Sequence, residues 1–581
     1  MIKSIWRHLS KRRKKQFSVL LILMIVASVS EVISVGAVLP FLGILTSPDQ
    51  VYQHELMQPL IQFLEISEPD QLILPLTIIF IIAALFAGVI RLTLLYVTTR
   101  LSFSTGADIS IKVYRNTLYQ DYSVHLERNS SEVINGIIGK TSTVINLIIN
   151  PILILISSIF ILLGIMSALF FIDITIALTA LLGFGILYST VIYYTRKQLK
   201  ENSQCIADQS SIMIKSLQEG LGGIRDVLID QTQEFYCQLY RNADLPLRRA
   251  FGNNQFISGS PRYLMEAIGM TLIAILAYVM TQQKDGISTA IPVLGALALG
   301  AQRLLPVLQQ VYSSYSSIQG AKSSFKDVLD LLEQPLPEHA GQPPSKLIPF
   351  KKEIKLTNLS FRYTEDTPWI LRDIDLYIKK GERIGFIGET GSGKSTLIDI
   401  IIGLLSPTDG DLIIDQQLIN NKNRRAWQAH IAHVPQNIYL SDGTIEENIA
   451  LGVPKEQIDH QRVLKAAQQA KISELIKEWR YGYQTVIGEK GVRLSGGQQQ
   501  RIGIARAFYK KANVLIFDEA NSALDDKTER EVMQAIEGLD KELTILIIAH
   551  RLTTLKDCDK VVKLDKNNTI KILSYEDITG L

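Results

Sequence analysis

Cysteine is nearly absent, with three in 581 residues. Cys205, Cys237 and Cys558 stand far apart without CxxC spacing, so no disulfide framework and no zinc-site pattern is indicated. A dominant charge is missing too: 60 Lys and Arg against 57 Asp and Glu leave a formal net charge of +3. No bulk charge therefore favours nucleic acid as a partner. Lys and Arg are wholly absent from 46–71, which instead carries Asp49, Glu55, Glu65, Glu68 and Asp70. What the chain has in quantity is apolar length. At 47% hydrophobic residues and this size, it is more than one soluble domain.

Six apolar runs precede residue 320, at about 17–45, 72–97, 144–171, 174–195, 264–281 and 287–316. Each is long enough to cross a bilayer as a helix of roughly 20 residues. The last is the least apolar, with Gln302, Arg303, Gln309 and Gln310. The first follows a basic segment, Lys11, Arg12, Arg13, Lys14 and Lys15. It is far longer than the roughly 7–15 apolar residues of a signal peptide and has no A-x-A site, so it reads as a retained spanning helix. Lys and Arg recur in the long segments 98–143 and 196–263, at Arg100, Lys112, Arg115, Arg196, Lys197, Lys200, Arg248 and Arg249. Positive-inside asymmetry then places both termini and both long segments in the cytoplasm. These segments read as helical extensions of the spans, with tips near Tyr119–Glu132 and Leu228–Tyr240, where Asn, Ser, Asp and Gln cluster. Within 46–71, Leu56, Leu60, Ile61 and Leu64 fall at helical spacing. They fit a short helix, either on the membrane face or packed on the protein itself.

A proline-rich linker, EQPLPEHAGQPPSK (333–346), ends this texture. Beyond it, short apolar strands alternate with helical stretches, the pattern of an α/β domain. The expected organisation is a basic segment 1–16, a six-span all-α membrane domain 17–320, a linker 321–349 and an α/β domain 350–581.

Three motifs in the last domain carry chemistry. ERIGFIGETGSGKSTLIDII places Gly388, Gly393, Lys394 and Ser395 in the pattern G-x-x-x-x-G-K-[ST] between a strand and a helix. Backbone amides of such a loop wrap phosphates without Cβ clashes, and the helix N-terminus adds positive potential. The loop residues Gly388, Glu389, Thr390, Gly391, Ser392, Gly393, Lys394, Ser395 and Thr396 are thus the candidate ATP cradle, with Lys394 on the β and γ phosphates and Ser395 on Mg²⁺. VLIFDEA is an apolar strand ending in two acids: Asp518 is expected to hold Mg²⁺ through water, and Glu519 to polarise the attacking water. LSGGQQQR makes Ser495, Gly496, Gly497 and Gln498 a second anion-binding helix start. One nucleotide does not need two such cradles.

LSGGQQQR resembles the signature of the ABC family, and the rest of the domain is similar to that family in order and spacing. The resemblance implies that Ser495 and its glycines bind the γ-phosphate of ATP held by a second subunit, so that two ATP molecules are sandwiched in a dimer. It puts Tyr363 on the adenine ring. Gln436 would link Mg²⁺ and the attacking water to the membrane domain, Asp525 of SALD would face the partner's site, and His550 would contact the γ-phosphate. TVIGEKG (485–491) resembles the cross-linking loop of ABC exporters, and Asn521 departs from the usual Thr or Ser. Six spans, two long intracellular segments and a C-terminal ATPase are similar to the type IV exporter architecture.

Charge inside a span is costly, by ~2.5–3.5 kcal/mol at mid-depth, so Arg91, Arg262 and Arg303 are candidate substrate residues. Pairing with Glu31 or Glu266 is the structural alternative. The regions YQDYSVHLERNSSEVING and EGLGGIRDVLIDQTQEFY most resemble exporters of bacterial cell-surface glycans. The expectation is a homodimeric translocase in the bacterial plasma membrane that exports or flips a lipid-linked oligosaccharide or related glycolipid, in contact with membrane lipids and without nucleic acid. The alternatives are export of hydrophobic drugs, peptides or lipid A-like lipids, and an ATP-gated channel or regulator.

Overall fold

The computed structural model describes residues 1–581 except 47, 54–56, 173, 282–285, 343–345, 489–490, 519–541, 550–551, 566–567 and 580–581. The chain divides into two units, Met1–Gln120 with Arg128–Leu336, and Asp121–Glu127 with Pro337–Leu581.

The first unit is helical. Its main elements are α1 (Ile2–His8), α2 (Lys11–Gly36) and α3 (Ile73–Leu118). The short α4 (Tyr122–Glu127) clusters with the second unit. The first unit resumes with α5 (Asn150–Ile172), α6 (Ile174–Gly222), α7 (Gln233–Thr281), α8 (Gly286–Gly320) and α9 (Lys322–Leu332). The six apolar runs fall on α2, α3 and α5 to α8. Among the described residues, Lys11–Ser34, Pro69–Leu118 and Ser130–Ser167 are helical stretches long and apolar enough to cross a membrane. The helices outrun their apolar cores. With 46 residues in α3 and 49 each in α6 and α7, each is about 70 Å long at 1.5 Å per residue, against ~30 Å of bilayer hydrocarbon.

Sequence chemistry explains the irregularities. The first run breaks after Gly36 and resumes as a separate helix, Val38–Thr46. Pro40 is the cause, since its ring would meet the carbonyl four residues back, that of Gly36. Two π-turns, Gly136–Lys140 and Ile145–Ile149, precede α5. The second lies against α3, where a Cβ on Gly106 would come within 2.3 Å of the Ile145 side chain. Only bare backbone admits that approach. Of the expected tips, the first is α4, and the second is a turn at 230–232 preceded by a short helix, Ile224–Ile229. Two short helices lie in 46–71, Pro48–Gln53 and Gln58–Phe63; the second carries Leu60 and Ile61 of the expected stripe, and Leu56 lies outside the described residues. The second packs on the protein, with Ile61 buried beside Ile44, Ile66, Leu72 and Leu76.

Helix α9 occupies the start of the stretch read as linker. Phe325, Val328 and Leu332 lie on one face and are buried against Ile109 and Val113 of α3. The Asn116 amide donates to the Leu332 carbonyl at 2.8 Å, fixing the helix end.

The second unit contains two sheets. An antiparallel sheet has the order β2-β1-β4-β5, from β1 (Glu353–Phe361), β2 (Leu371–Lys379), β4 (Asp409–Ile414) and β5 (Gln417–Leu418). A six-stranded sheet has the order β10-β9-β3-β8-β7-β6. Its strands are β3 (Arg383–Gly388), β6 (Ile431–Val434), β7 (Val514–Asp518), β8 (Thr544–Ile548), β9 (Lys560–Leu564) and β10 (Ile570–Leu573), all parallel except β10 on the edge. β7 and β8 are continuous apolar runs because both faces are covered. Around the sheets lie α10 (Lys394–Ile402), α11 (Arg424–Gln428), α12 (Ile445–Ile449), α13 (His460–Gln469), α14 (Ser473–Glu478) and α15 (Gly496–Lys510).

Trp427 of α11 is fully buried. Its indole N–H donates to the Ile401 carbonyl at 2.7 Å, and the ring meets Phe350 edge-on at 5.4 Å. Trp427→Ala is expected to cost about 3–5 kcal/mol. Trp427→Phe keeps most of the volume but orphans the carbonyl, for about 1–3 kcal/mol. Thermal unfolding of the full chain should rank wild type above Phe above Ala; equal midpoints would refute a core role.

Candidate functional site

The parallel strands deliver their C-terminal ends to one edge. Across the register, Asp518 of β7 pairs with Ile548 of β8, and Phe386 of β3 pairs with the same Ile548. Gly388 follows two residues after Phe386, so the phosphate-loop motif and Asp518 leave the sheet on the same side. Gln436 follows β6, whose Val434 pairs with Phe517, and is exposed at that edge as well. Glu519 follows Asp518 directly and His550 comes two residues after Ile548. Both lie outside the described residues, as does Asp525.

The loop 388–393 depends on glycine. Gly393 has φ +92°, and a Cβ there would lie 3.1 Å from the Ile370 carbonyl oxygen. At Gly388 a Cβ would lie 2.7 Å from both the Leu564 carbonyl oxygen and Ser392 Oγ. Glu389, Thr390 and Gly391 form the exposed rim, and Ser392 is buried beneath them. Lys394 is buried, and its ammonium donates to the Gly388 and Glu389 carbonyls at 2.9 and 3.0 Å. An ammonium has three N–H donors; two hold it inside its own loop and the third direction serves an incoming oxygen anion. The Ser395 hydroxyl is exposed at the start of α10, whereas Thr396 is buried and shares a hydrogen bond at 3.2 Å with the Tyr363 hydroxyl. That bond, with the edge contact of Phe361 on the Tyr363 ring at 5.1 Å, fixes the ring while leaving Tyr363 45% exposed.

Beside Tyr363 opens a cleft of about 700 Å³, lined by Asp121, Leu126, Arg362, Leu405 and Arg424 among others. Two of these residues form an ion pair that sequence reasoning did not single out: Arg424 of α11 binds the Asp121 carboxylate just before α4. Asp121 lies in the expected tip Tyr119–Glu132, but Arg424 is 303 positions away and in no motif, so no local signal marked the pair.

Asp399 was also missed. It lies one turn into α10 beyond Ser395, half-buried, and its carboxyl is pushed up to about 6 by burial and then by the neighbouring Asp518 charge. Its signal was present as an acid four residues after the Ser of the phosphate motif. Asp518 at the end of β7 and the Ser395 hydroxyl at the start of α10 are hard oxygen donors of the kind Mg²⁺ takes, and Asp399 adds a carboxyl close enough to feel the Asp518 charge.

Ser495 caps α15. Its Oγ accepts from the Gln498 N–H at 3.3 Å, and the Gln498 side chain accepts from the Ser495 N–H at 2.9 Å, a reciprocal capping box. Gln498 is thereby committed to the cap, and among the described residues no hydrogen bond takes up the N–H groups of Gly496 and Gly497, donors of a helix start. Arg506, further along α15, donates to the Asn448 and Tyr439 carbonyls at 2.9 and 3.1 Å, tying this helix to the segment that follows Gln436. Among the described residues no hydrogen bond or ion pair joins the Ser495 group to the phosphate loop.

The substrate candidates are dispersed. Arg91 of α3 binds Glu31 of α2, which is fully buried, while the Arg91 side chain stays 42% exposed. Arg262 of α7 holds Glu266 at 2.7 Å on its own helix. Arg303 falls on α8, with its side chain outside the described residues.

Two family models match, "ABC transporter" over residues 371–522 and "ABC transporter transmembrane region" over residues 19–290. The chain is similar to an "ATP-dependent lipid A-core flippase" of Alkalilimnicola ehrlichii, 31% identical over 399 residues, 68% of this chain and 67% of the other. A protein with the same description from Cupriavidus pinatubonensis is 27% identical over 85% of this chain and 84% of its own. A "Putative multidrug export ATP-binding/permease protein YgaD" of Bacillus subtilis is 27% identical over 81% of each. A solved bacterial Atm1-family ABC exporter with ATP bound superposes with TM-score 0.78 at 22% identity, covering 98% of this chain and 96% of that one, and so shares the fold.

The raised Asp399 carboxyl makes stability depend on pH. Its folded value, about 6, lies above the ordinary 3.8. Its contribution is therefore fully present below pH ~3.8 and is lost as pH rises through ~6. The unfolding midpoint of wild type relative to Asp399→Asn should fall between pH 5 and pH 7, measured at both pH values without Mg²⁺. A constant difference would show that burial and the Asp518 charge do not raise this carboxyl.

Proposed function

This chain belongs to the ABC transporter family, an integral membrane region fused to an ATPase that couples ATP hydrolysis to transport, and from that premise we propose that it flips or exports an anionic lipid-anchored saccharide. The class includes lipid-linked oligosaccharides and lipid A-like glycolipids. The observation that carries the substrate class is the similarity, along most of the chain, to proteins described as lipid A-core flippases. The similarity to a putative multidrug exporter supports hydrophobic drugs as the second reading.

In this reading residues 17–320 form the membrane path, 350–581 the motor and 321–349 the connection. Two copies pair so that Ser495, Gly496, Gly497, Gln498 and Asp525 of one complete the phosphate loop of the other. Supporting this is the presence of two anion-receptive helix starts in one domain without a bond between them. Ser395, Gln436 and Asp518 would hold Mg²⁺, which screens phosphate charge when bound. Glu519 takes the proton of the attacking water, His550 orients the γ-phosphate and Tyr363 stacks on adenine. The basic segment 11–15 and the acidic 46–71 support a bacterial plasma membrane orientation with both termini and the ATPase in the cytoplasm.

Arg91, Arg262 and Arg303 would attract the headgroup. For the first two this means competing with Glu31 and Glu266, and the exposure of both guanidinium groups, although paired, makes such exchange accessible.

Reconstituted liposomes test the reading with a fluorescent polyprenyl-pyrophosphate oligosaccharide and, in parallel, a labelled lipid A. Wild type should flip one of them with ATP. Glu519→Gln should lose roughly 10²–10⁴-fold in hydrolysis. Arg91→Gln with Glu31→Gln, which removes both charges of the pair and so leaves no orphan, should hydrolyse ATP with flipping largely lost. Hydrolysis by wild type without movement of either lipid would overturn the substrate class.

A further inference from the structure

The foot of the first spanning helix carries an apolar cavity that includes neither the nucleotide-site residues nor the candidate arginines. Helix α1 turns back at Leu9 and lies beside the start of α2 and the start of α5. Between them is a space of about 110 Å³ whose walls include Trp6, Phe17, Leu21, Met24, Ile152 and Ile156, with no polar residue in its lining. Met24 forms buried floor, and Trp6 and Leu21 are exposed at the rim. An apolar cavity of ~150 Å³ stays dry and takes up benzene, so this one suits a short section of hydrocarbon chain and not water.

The same corner is charged. No Asp or Glu precedes Glu31, while Lys3, Arg7, Lys11, Arg12, Arg13, Lys14 and Lys15 do. Arg13 is held by Asp108 at 2.8 Å and Arg7 reaches Glu333 at 3.8 Å. Among the described residues no acid lies within ion-pair distance of Lys11, Arg12, Lys14 or Lys15. Lys11, Arg12 and Lys15 are exposed, and the Lys14 ammonium lies 5.8 Å from the Trp6 ring centroid, so charge and slot meet at Trp6.

Cations around the mouth of a dry hydrocarbon slot, at the end of a membrane-spanning helix, define a ligand with an anionic head and an acyl chain. We propose that this corner is a binding site for one anionic phospholipid of the surrounding leaflet, with its headgroup on Lys11, Arg12, Lys14 and Lys15 and part of one acyl chain in the slot lined by Trp6, Phe17 and Leu21. The lipid is a bound component and not the cargo. Its contacts with α1 also bear on α9, because Ile5, which lines the slot, packs on the cluster containing Phe325 and Val328.

The test is native mass spectrometry of the full-length chain after exposure to an equal mixture of dioleoyl phosphatidylglycerol and dioleoyl phosphatidylcholine. Wild type should retain the phosphatidylglycerol preferentially. Changing Lys11, Arg12, Lys14 and Lys15 together to Gln should reduce that preference on the order of tenfold or more, since each basic residue near an anionic surface counts for about fivefold. Leu21→Trp, which fills the slot from its exposed rim and leaves the cations in place, should reduce retention of both lipids. Equal retention of the two lipids by wild type would overturn the proposal, as would an unchanged preference in the quadruple variant.

Discussion

An ammonium ion buried at the end of a β-strand must be surrounded by oxygen, and the second unit is arranged around that requirement. Lys394 meets it with the carbonyls of Gly388 and Glu389, which is possible only because the loop closes tightly enough for glycine alone at Gly388 and Gly393. The loop in turn is anchored by β3, in the middle of a parallel sheet whose neighbours bring Asp518 and Gln436 to the same edge. Tyr363 comes from the other sheet and is pinned to Thr396 of the same helix that carries Lys394. The candidate phosphate, metal and base contacts thus share one short helix as their reference point.

A comparable constraint shapes the first unit. Backbone in hydrocarbon must satisfy its own hydrogen bonds, which leaves helix as the economical solution, and charge within such helices must be paired or exposed. Glu31 illustrates the first outcome and Arg91 a mixture of both. In the proposed function, the pairing sets a threshold that an anionic ligand would have to exceed at Arg91, which would favour a headgroup with more than one negative charge over a neutral amphipath.

The segment between the two textures is more structured than its composition indicates. Pro-rich 333–346 is easily read as a flexible tether, yet α9 directly before it is a packed helix with Phe325, Val328 and Leu332 on one face. Their spacing was visible in the sequence. What concealed the helix is its brevity: 11 residues next to spans several times longer carry little pattern of their own, and only the facing surface of α3 gives that stripe something to bury against.

Runs of apolar residues, glycine patterns and strand-final acids are local, so the helices that carry the six apolar runs, the phosphate loop, the Ser495 helix start and Asp518 were legible from the sequence alone. The physical reason is that each depends on neighbours within a few residues: a bilayer-length run, a turn that requires glycine, a cap that requires Ser with Gln498 three positions on. Tertiary structure decided what depends on distance along the chain. It brought Asp121 to Arg424, Asp399 to Asp518, Glu31 to Arg91, and Trp6 to the slot at the foot of the first span, because electrostatic pairing and cavity shape are properties of surfaces that meet only after the chain has folded.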